Sequence, residues 1–150
     1  MLGILSSDEI EDLLRTEFIA RLGCHADGRT YVVPITYAYD GESLIGHSAD
    51  GLKLRMMRRN PFVCVEIDHM DNFANWRSVI AQGRFEDLKG EAAAAALIVL
   101  RERFKPAHVS ETSQPAQSLH PGESETHAGN GSLHLYRIHL EEKTGRFERR

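Results

Sequence analysis

The sequence predicts a mainly β domain with a few helices, arranged as a compact six-stranded antiparallel barrel. Period-two hydrophobicity recurs on both sides of Asp27-Gly28 and Asp40-Gly41, dipeptides that favour hairpin turns. Helical periodicity is confined to short stretches near residues 7–15, 52–59 and 91–103. A chain of 150 residues, 41% hydrophobic and 27% charged, is large enough to form one domain, spanning 1–150, with a core that needs no staples.

Ser6 and Glu9 stand at capping-box spacing ahead of the apolar stripe Ile10, Leu13 and Leu14, so residues 7–15 should form a short amphipathic helix. From Glu17 the period becomes two, with Phe18, Ala20, Leu22 and Cys24 on one side, and the first strand ends at Asp27-Gly28. Residues 30–39 are rich in β-branched and aromatic side chains and make the second strand, and residues 43–47 make the third. Pro34 lies inside the second strand and has no amide hydrogen. That strand must therefore be an edge, carry a bulge, or turn its unpaired side toward something other than a strand, such as a flat ligand.

Strands four and five are expected at 62–68 and 76–85, divided by a polar loop at 71–75. Residues 91–103 hold five consecutive alanines and then Leu97, Ile98, Val99 and Leu100, a longer helix that should lie across the sheet or a partner. Periodicity is lost over 105–131, where Pro, Ser, Thr, Glu, His and Gly collect, and the segment reads as a mobile flap or lid. A sixth strand at 132–140 and a short tail from Thr144-Gly145-Arg146 complete the chain. Side chains fill the interior of so small a barrel. A cofactor-sized ligand must then sit outside it or between two copies, and a homodimer is the natural enclosure.

Composition narrows the partners. A net charge of -4 and a pI near 6.0 give no electrostatic footprint for nucleic acid, so a small-molecule ligand is expected. Cys24 and Cys64 lie in apolar segments without zinc-site spacing and read as reduced core residues of a cytoplasmic protein. The eight histidines show no ligand spacing, so no metal is expected. The N-terminus lacks a basic leader, and no run approaches the roughly 20 apolar residues of a membrane helix, so a soluble chain without membrane contact is expected.

The candidate site is the stretch 46–61, which joins an apolar strand to a short basic helix through a small polar turn. Helix propensity resumes at Leu52 and stops at Asn60-Pro61. Amides at the helix start face the turn, Ser48 offers a hydroxyl, and Lys53 and Arg55 add positive charge, which together suit a phosphate monoester. Gly51 is expected to supply backbone geometry that other residues resist. Gly46 and Gly51 have Walker separation, but Leu52 and Lys53 follow where Lys and Ser or Thr should stand, which excludes a nucleotide triphosphatase. The competing reading is an ordinary surface helix, docked by Leu52, Met56 and Met57, whose basic residues are merely solvated.

The strand Tyr31-Val32-Val33-Pro34-Ile35-Thr36, the turn from His47 to Lys53, the stop Asn60-Pro61 and the segment Trp76-Arg77-Ser78-Val79 together form a pattern. It resembles the pyridoxamine 5'-phosphate oxidase-like, FMN-binding split-barrel superfamily, more narrowly its small flavin-nucleotide-binding members of the 5-nitroimidazole-resistance type. The resemblance implies a split barrel and a homodimer with FMN at the interface, contacted by both chains. It implies that the backbone of Val33, Pro34, Ile35 and Thr36 faces the isoalloxazine ring, that His47, Ser48 and Lys53 bind the phosphate, and that Trp76, Arg77, Ser78 and Val79 approach the cofactor. Trp76 reads equally as a core or interface aromatic, and His47 as a cap on the strand end.

The C-terminal Trp and Arg arrangement with which pyridoxamine phosphate oxidases hold substrate is absent, and Arg137 stands in the last strand without it. The function implied is an FMN-dependent oxidoreductase passing hydride or electrons to a small acceptor, either nitro or quinone-like or similar to pyridoxamine phosphate. Because the flavin carries the chemistry, no catalytic side chain is assigned. A non-catalytic flavin-binding or sensing module and a haem-binding split barrel are the alternatives.

Overall fold

A computed structural model of the chain describes residues 1–105 and 133–150. In order the elements are β1 (Leu2–Ile4), α1 (Ser7–Thr16), β2 (Ile19–Ala26), β3 (Arg29–Thr36), β4 (Ala38–Tyr39), β5 (Ser43–Ser48), α2 (Leu52–Arg59), β6 (Phe62–Asn72), β7 (Asn75–Leu88), α3 (Gly90–Phe104) and β8 (His134–Glu148). All strands belong to one antiparallel sheet of order β3-β2-β6-β7-β8-β5-β4, with β1 added beside the far end of β8.

Local chemistry explains the elements that sequence pattern foresaw. In α1 the Ser6 amide donates to Glu9 Oε2 at 2.8 Å while the Glu9 amide donates to Ser6 Oγ at 3.3 Å, a complete capping box. The β2–β3 hairpin turns through Asp27 and Gly28, both at positive φ (53° and 76°), the two-residue geometry that matches strand twist. Pro34 of β3 pairs with Arg21 of β2, and β3 is an edge strand, which removes the need for its missing donor. Helix α2 begins at Leu52 and ends at Arg59, as the pattern predicts.

The expected count of six strands becomes eight among the described residues, and the sheet is not closed, since β3 and β4 stand at its two ends. The expected second strand is interrupted at Tyr37, so its first part pairs with β2 and its last two residues pair with β5. Both fragments lie in one continuous run of chain, which carries it from one end of the sheet to the other. Tyr37 is fully buried at this joint, donating its amide to the Phe18 carbonyl at 3.2 Å and its hydroxyl to the Leu14 carbonyl at 2.7 Å. The polar loop 71–75 shrinks to a hairpin turn between β6 and β7. Thr144-Gly145-Arg146 is no tail but the interior of β8, which runs on to Glu148. The flap or lid expected at 105–131 lies, beyond Lys105, outside the described residues.

The main core joins the inward residues of β2 (Ala20, Leu22), β6 (Val65, Ile67), β7 (Val79, Ala81) and β8 (Tyr136, Ile138) to Leu13 and Leu14 of α1 and Leu54 and Met57 of α2. Burying Leu13 and Leu14, both fully inaccessible, contributes about 1.5–3 kcal/mol each. A second cluster lies on the opposite face, where Ala96, Leu100 and Phe104 of α3 cover Ala38, Ile45, Leu88 and Leu135. This helix therefore lies across the sheet. Arg103 ties it to α1 by donating to the carbonyls of Thr16 and Glu17, each at 3.0 Å, while its guanidinium stacks 3.7 Å from the Phe18 ring centroid.

Candidate functional site

The turn 49–51 follows β5, whose last residues His47 and Ser48 pair with Leu135 and His134 of β8. Gly51 is the N-cap of α2 and provides no side-chain cap, so the first amides of the helix have no capping side chain. Its backbone is fully extended (φ -174°, ψ -179°), a conformation open to any residue, which corrects the expectation of a glycine-only geometry. The first turn of α2 holds no acid; it holds Lys53 and Arg55 instead. Cations at this end oppose the helix dipole.

The last turn contrasts with the first. Arg58 makes two 3.0 Å bonds to Asp87, and Arg59 pairs with Asp27 at 3.0 Å, whereas neither Lys53 nor Arg55 is ion-paired among the described residues. Lys53 is half-buried, and that burial lowers its pKa, with the nearby Cys24 acting weakly the other way. Burial, and then the Lys53 charge, hold the His47 imidazole below its ordinary range. Ser48 is buried, and its hydroxyl donates to the Ala49 carbonyl at 2.7 Å. The structure thus brings His47, Ser48 and Lys53 to one end of β5 and α2, beside amides that no side chain caps.

The strand residues Val33, Pro34, Ile35 and Thr36 occupy the edge strand β3. Ile35 is buried and Val33 half-buried toward the core, while Pro34 and Thr36 are exposed on the outer face. On that same outer face Ser78 Oγ donates to Glu66 Oε1 at 2.8 Å, and Arg21 reaches both Asp68 at 2.8 Å and Glu66 at 3.8 Å. Arg21 is the register partner of Pro34, so a polar relay that sequence reasoning missed connects Ser78 to the β3 edge. The alternation of β2 and β6 places Arg21 and Glu66 outward and was the available signal.

The remaining residues point elsewhere. Val79 is fully buried in the core and offers only its backbone. Arg77 turns to Asp12 of α1 at 3.2 Å, and Trp76 donates its indole N–H to Glu148 at 3.3 Å. A cleft of about 390 Å³ opens here, between His69 and Asp71 of β6, Trp76 and Arg77 of β7, and Glu148 and Arg149. Through β8, His47 lies level with Leu88, at the opposite end of β7 from Trp76. Along the strand that separation is on the order of 40 Å. One chain therefore does not bring Trp76 beside His47.

His69 marks the cleft. Its ring lies 2.5 Å from Glu17 and 3.2 Å from Asp71, and the hydrogen bond with Glu17, then that with Asp71, raises its pKa above 6.5. A raised folded-state value means that this contribution to stability is fully present below about pH 6.5 and is lost as pH rises through the folded value. The pH dependence of thermal unfolding between about pH 5.5 and 8 is accordingly expected to flatten in Glu17→Gln. An unchanged profile would remove His69 from the balance.

The family described as Pyridoxamine 5'-phosphate oxidase matches residues 6–147, and the chain belongs to it. An uncharacterized protein of Rhizobium meliloti (strain 1021) is 36% identical over 85 residues, 57% of this chain and 56% of that protein, so the match spans little more than half of the relative. Among solved structures, the chain is similar to a FAD-binding protein from Mesorhizobium loti, with 27% identity, a TM-score of 0.74 and coverage of 100% of this chain and 98% of that one. A candidate 5-nitroimidazole antibiotic resistance protein from Bacteroides thetaiotaomicron shares the fold at 19% identity and TM-score 0.71, covering 98% and 87%. So does a FAD and haem binding protein from Mycobacterium smegmatis, at 19% identity and TM-score 0.71, covering 98% and 73%.

Proposed function

We propose that this chain is a flavin-binding oxidoreductase that takes FMN and passes electrons to a small nitro or quinone-like acceptor. The observation that carries the reading is the start of α2: uncapped amides, no acid in the first turn, and Lys53 half-buried without an ion-pair partner among the described residues. Such a desolvated ammonium suits a fixed phosphate better than water. Family membership and the similarity to a FAD-binding protein support a flavin as the owner of that phosphate. Bound flavin would supply the electron-carrying ring. The chain's own part is to fix the phosphate at α2, present the β3 edge around Pro34 and Thr36 to a planar group, and exclude water there.

The separation of His47 from Trp76 along the sheet supports a homodimer, because one cofactor meets both groups only if a second copy supplies one of them. The outer face of β3, β2, β6 and β7 offers a surface for it, with Val32, Ile19, Phe62 and Ile80 exposed at 64%, 49%, 59% and 47%. Both cysteines are free, which supports a reducing cytoplasmic setting.

The test is direct. Purified full-length protein should show flavin absorbance, or gain it with a thermal shift on addition of FMN, and photoreduced protein should reoxidise at distinct rates with nitroaromatics, quinones and oxygen. Slow, unselective reoxidation would favour a sensing module. No shift with FMN or FAD but a Soret band with haem would replace the reading.

Phosphate binding is also expected to draw a proton. A phosphate dianion beside His47 opposes the burial and the Lys53 charge that depress its pKa, so FMN affinity should rise as pH falls through the value in the complex, while riboflavin affinity stays flat. Calorimetry in buffers of different ionisation enthalpy measures the uptake directly. Zero uptake puts His47 out of reach of the phosphate.

A further inference from the structure

Building on the reading of the α2 start as a phosphate seat, we infer that His134 is a positioning residue which holds the Asp50 carboxylate off the α2 amides and so keeps the seat open. Asp50 stands one residue before the N-cap Gly51. Aspartate is among the residues that cap helices best, by accepting hydrogen bonds from first-turn amides, and a carboxylate there gains from the helix dipole. Asp50 is thus an internal anion within reach of the place a phosphate would take. In the structure it does not cap. Its Oδ1 lies 2.7 Å from His134 Nε2 instead.

The imidazole is aimed from its other side. Arg58 Nη2 approaches His134 Nδ1 at 3.4 Å, and a guanidinium only donates, so Nδ1 accepts and Nε2 carries the hydrogen toward Asp50. Arg58 is itself fixed by its two bonds to Asp87. The chain Asp87, Arg58, His134, Asp50 therefore links β7, α2 and β8 to the turn. His134 is also the cross-strand partner of Ser48, so one ladder register sets both the imidazole and the seat.

The experiment compares FMN and riboflavin dissociation constants, by flavin fluorescence, for the full chain and its variants. His134→Ala should weaken FMN at least fivefold and leave riboflavin within about twofold, since riboflavin has no phosphate to compete with Asp50. His134→Gln, which keeps a donor, should retain most of the FMN affinity. Adding Asp50→Asn to His134→Ala should restore it, a rescue that a merely structural histidine would not allow. An FMN to riboflavin ratio unchanged by His134→Ala, or no rescue by Asp50→Asn, overturns the inference while leaving the phosphate seat intact. Wild-type protein that binds FMN no better than riboflavin overturns both. If His134→Ala does not fold, Asp50→Asn alone decides: FMN affinity equal to or above wild type supports the inference, and a loss of it overturns it.

Discussion

Replacing Lys53 by alanine is expected to weaken FMN binding by about ten- to a hundredfold. Hydrogen bonds to charged groups contribute about 1.5–3 kcal/mol, and each 1.4 kcal/mol is a factor of ten in affinity. The value belongs near the top of that range because Lys53 is half-buried, where water cannot screen it as on an open surface. Ser48→Ala should cost less, since the Ser48 proton already rests on the Ala49 carbonyl and must turn away to serve a ligand. Riboflavin separates the roles. It lacks the phosphate, so its affinity should hardly change in Lys53→Ala, and equal losses for both ligands would show that Lys53 supports the fold or the ring.

The largest effect on stability is expected at Tyr37. Truncation to alanine removes a fully buried aromatic side chain and the donor of its hydrogen bond to the Leu14 carbonyl of α1, at a cost of about 3–5 kcal/mol. At about 2–4 °C per kcal/mol for a domain of this size, melting should fall by roughly 6–20 °C. Tyr37→Phe isolates the hydroxyl. It keeps the ring but leaves the Leu14 carbonyl without that donor, a loss of about 1–3 kcal/mol. Urea unfolding of both variants checks the ranking, and a phenylalanine variant as stable as wild type would show that the hydrogen bond has no net worth at the joint.

What was legible in the sequence was local. The capping box at Ser6 and Glu9, the Asp27-Gly28 turn and the start and stop of α2 each depend on residues a few positions apart, and each stands where pattern placed it. Thr144-Gly145-Arg146 was misread because Gly145 looks like a turn residue. It serves packing: a Cβ there would lie 2.8 Å from a Leu5 methyl and 3.1 Å from Ile10, so the glycine lets β8 pass under the N-terminal segment. The strand β1 went unseen because Leu2 and Ile4 are exposed and show no buried face to detect. In the site, His47, Ser48 and Lys53 were readable as neighbours in one turn. The links from His134 to Asp50 and from Arg58 to Asp87 were not, since only the ladders of β5, β7 and β8 bring those residues together.

The place of β8 in the sheet bears on how the chain reaches this structure during synthesis. It is the last element in sequence, yet it lies between β7 and β5 and also pairs with β1. The partners on its two sides leave the ribosome first and have no ladder to each other until it arrives. A nascent chain therefore carries two unjoined pieces of sheet, each with an open edge exposed to chaperones and to neighbouring chains, and the step that joins them closes the longest sequence separations in the molecule.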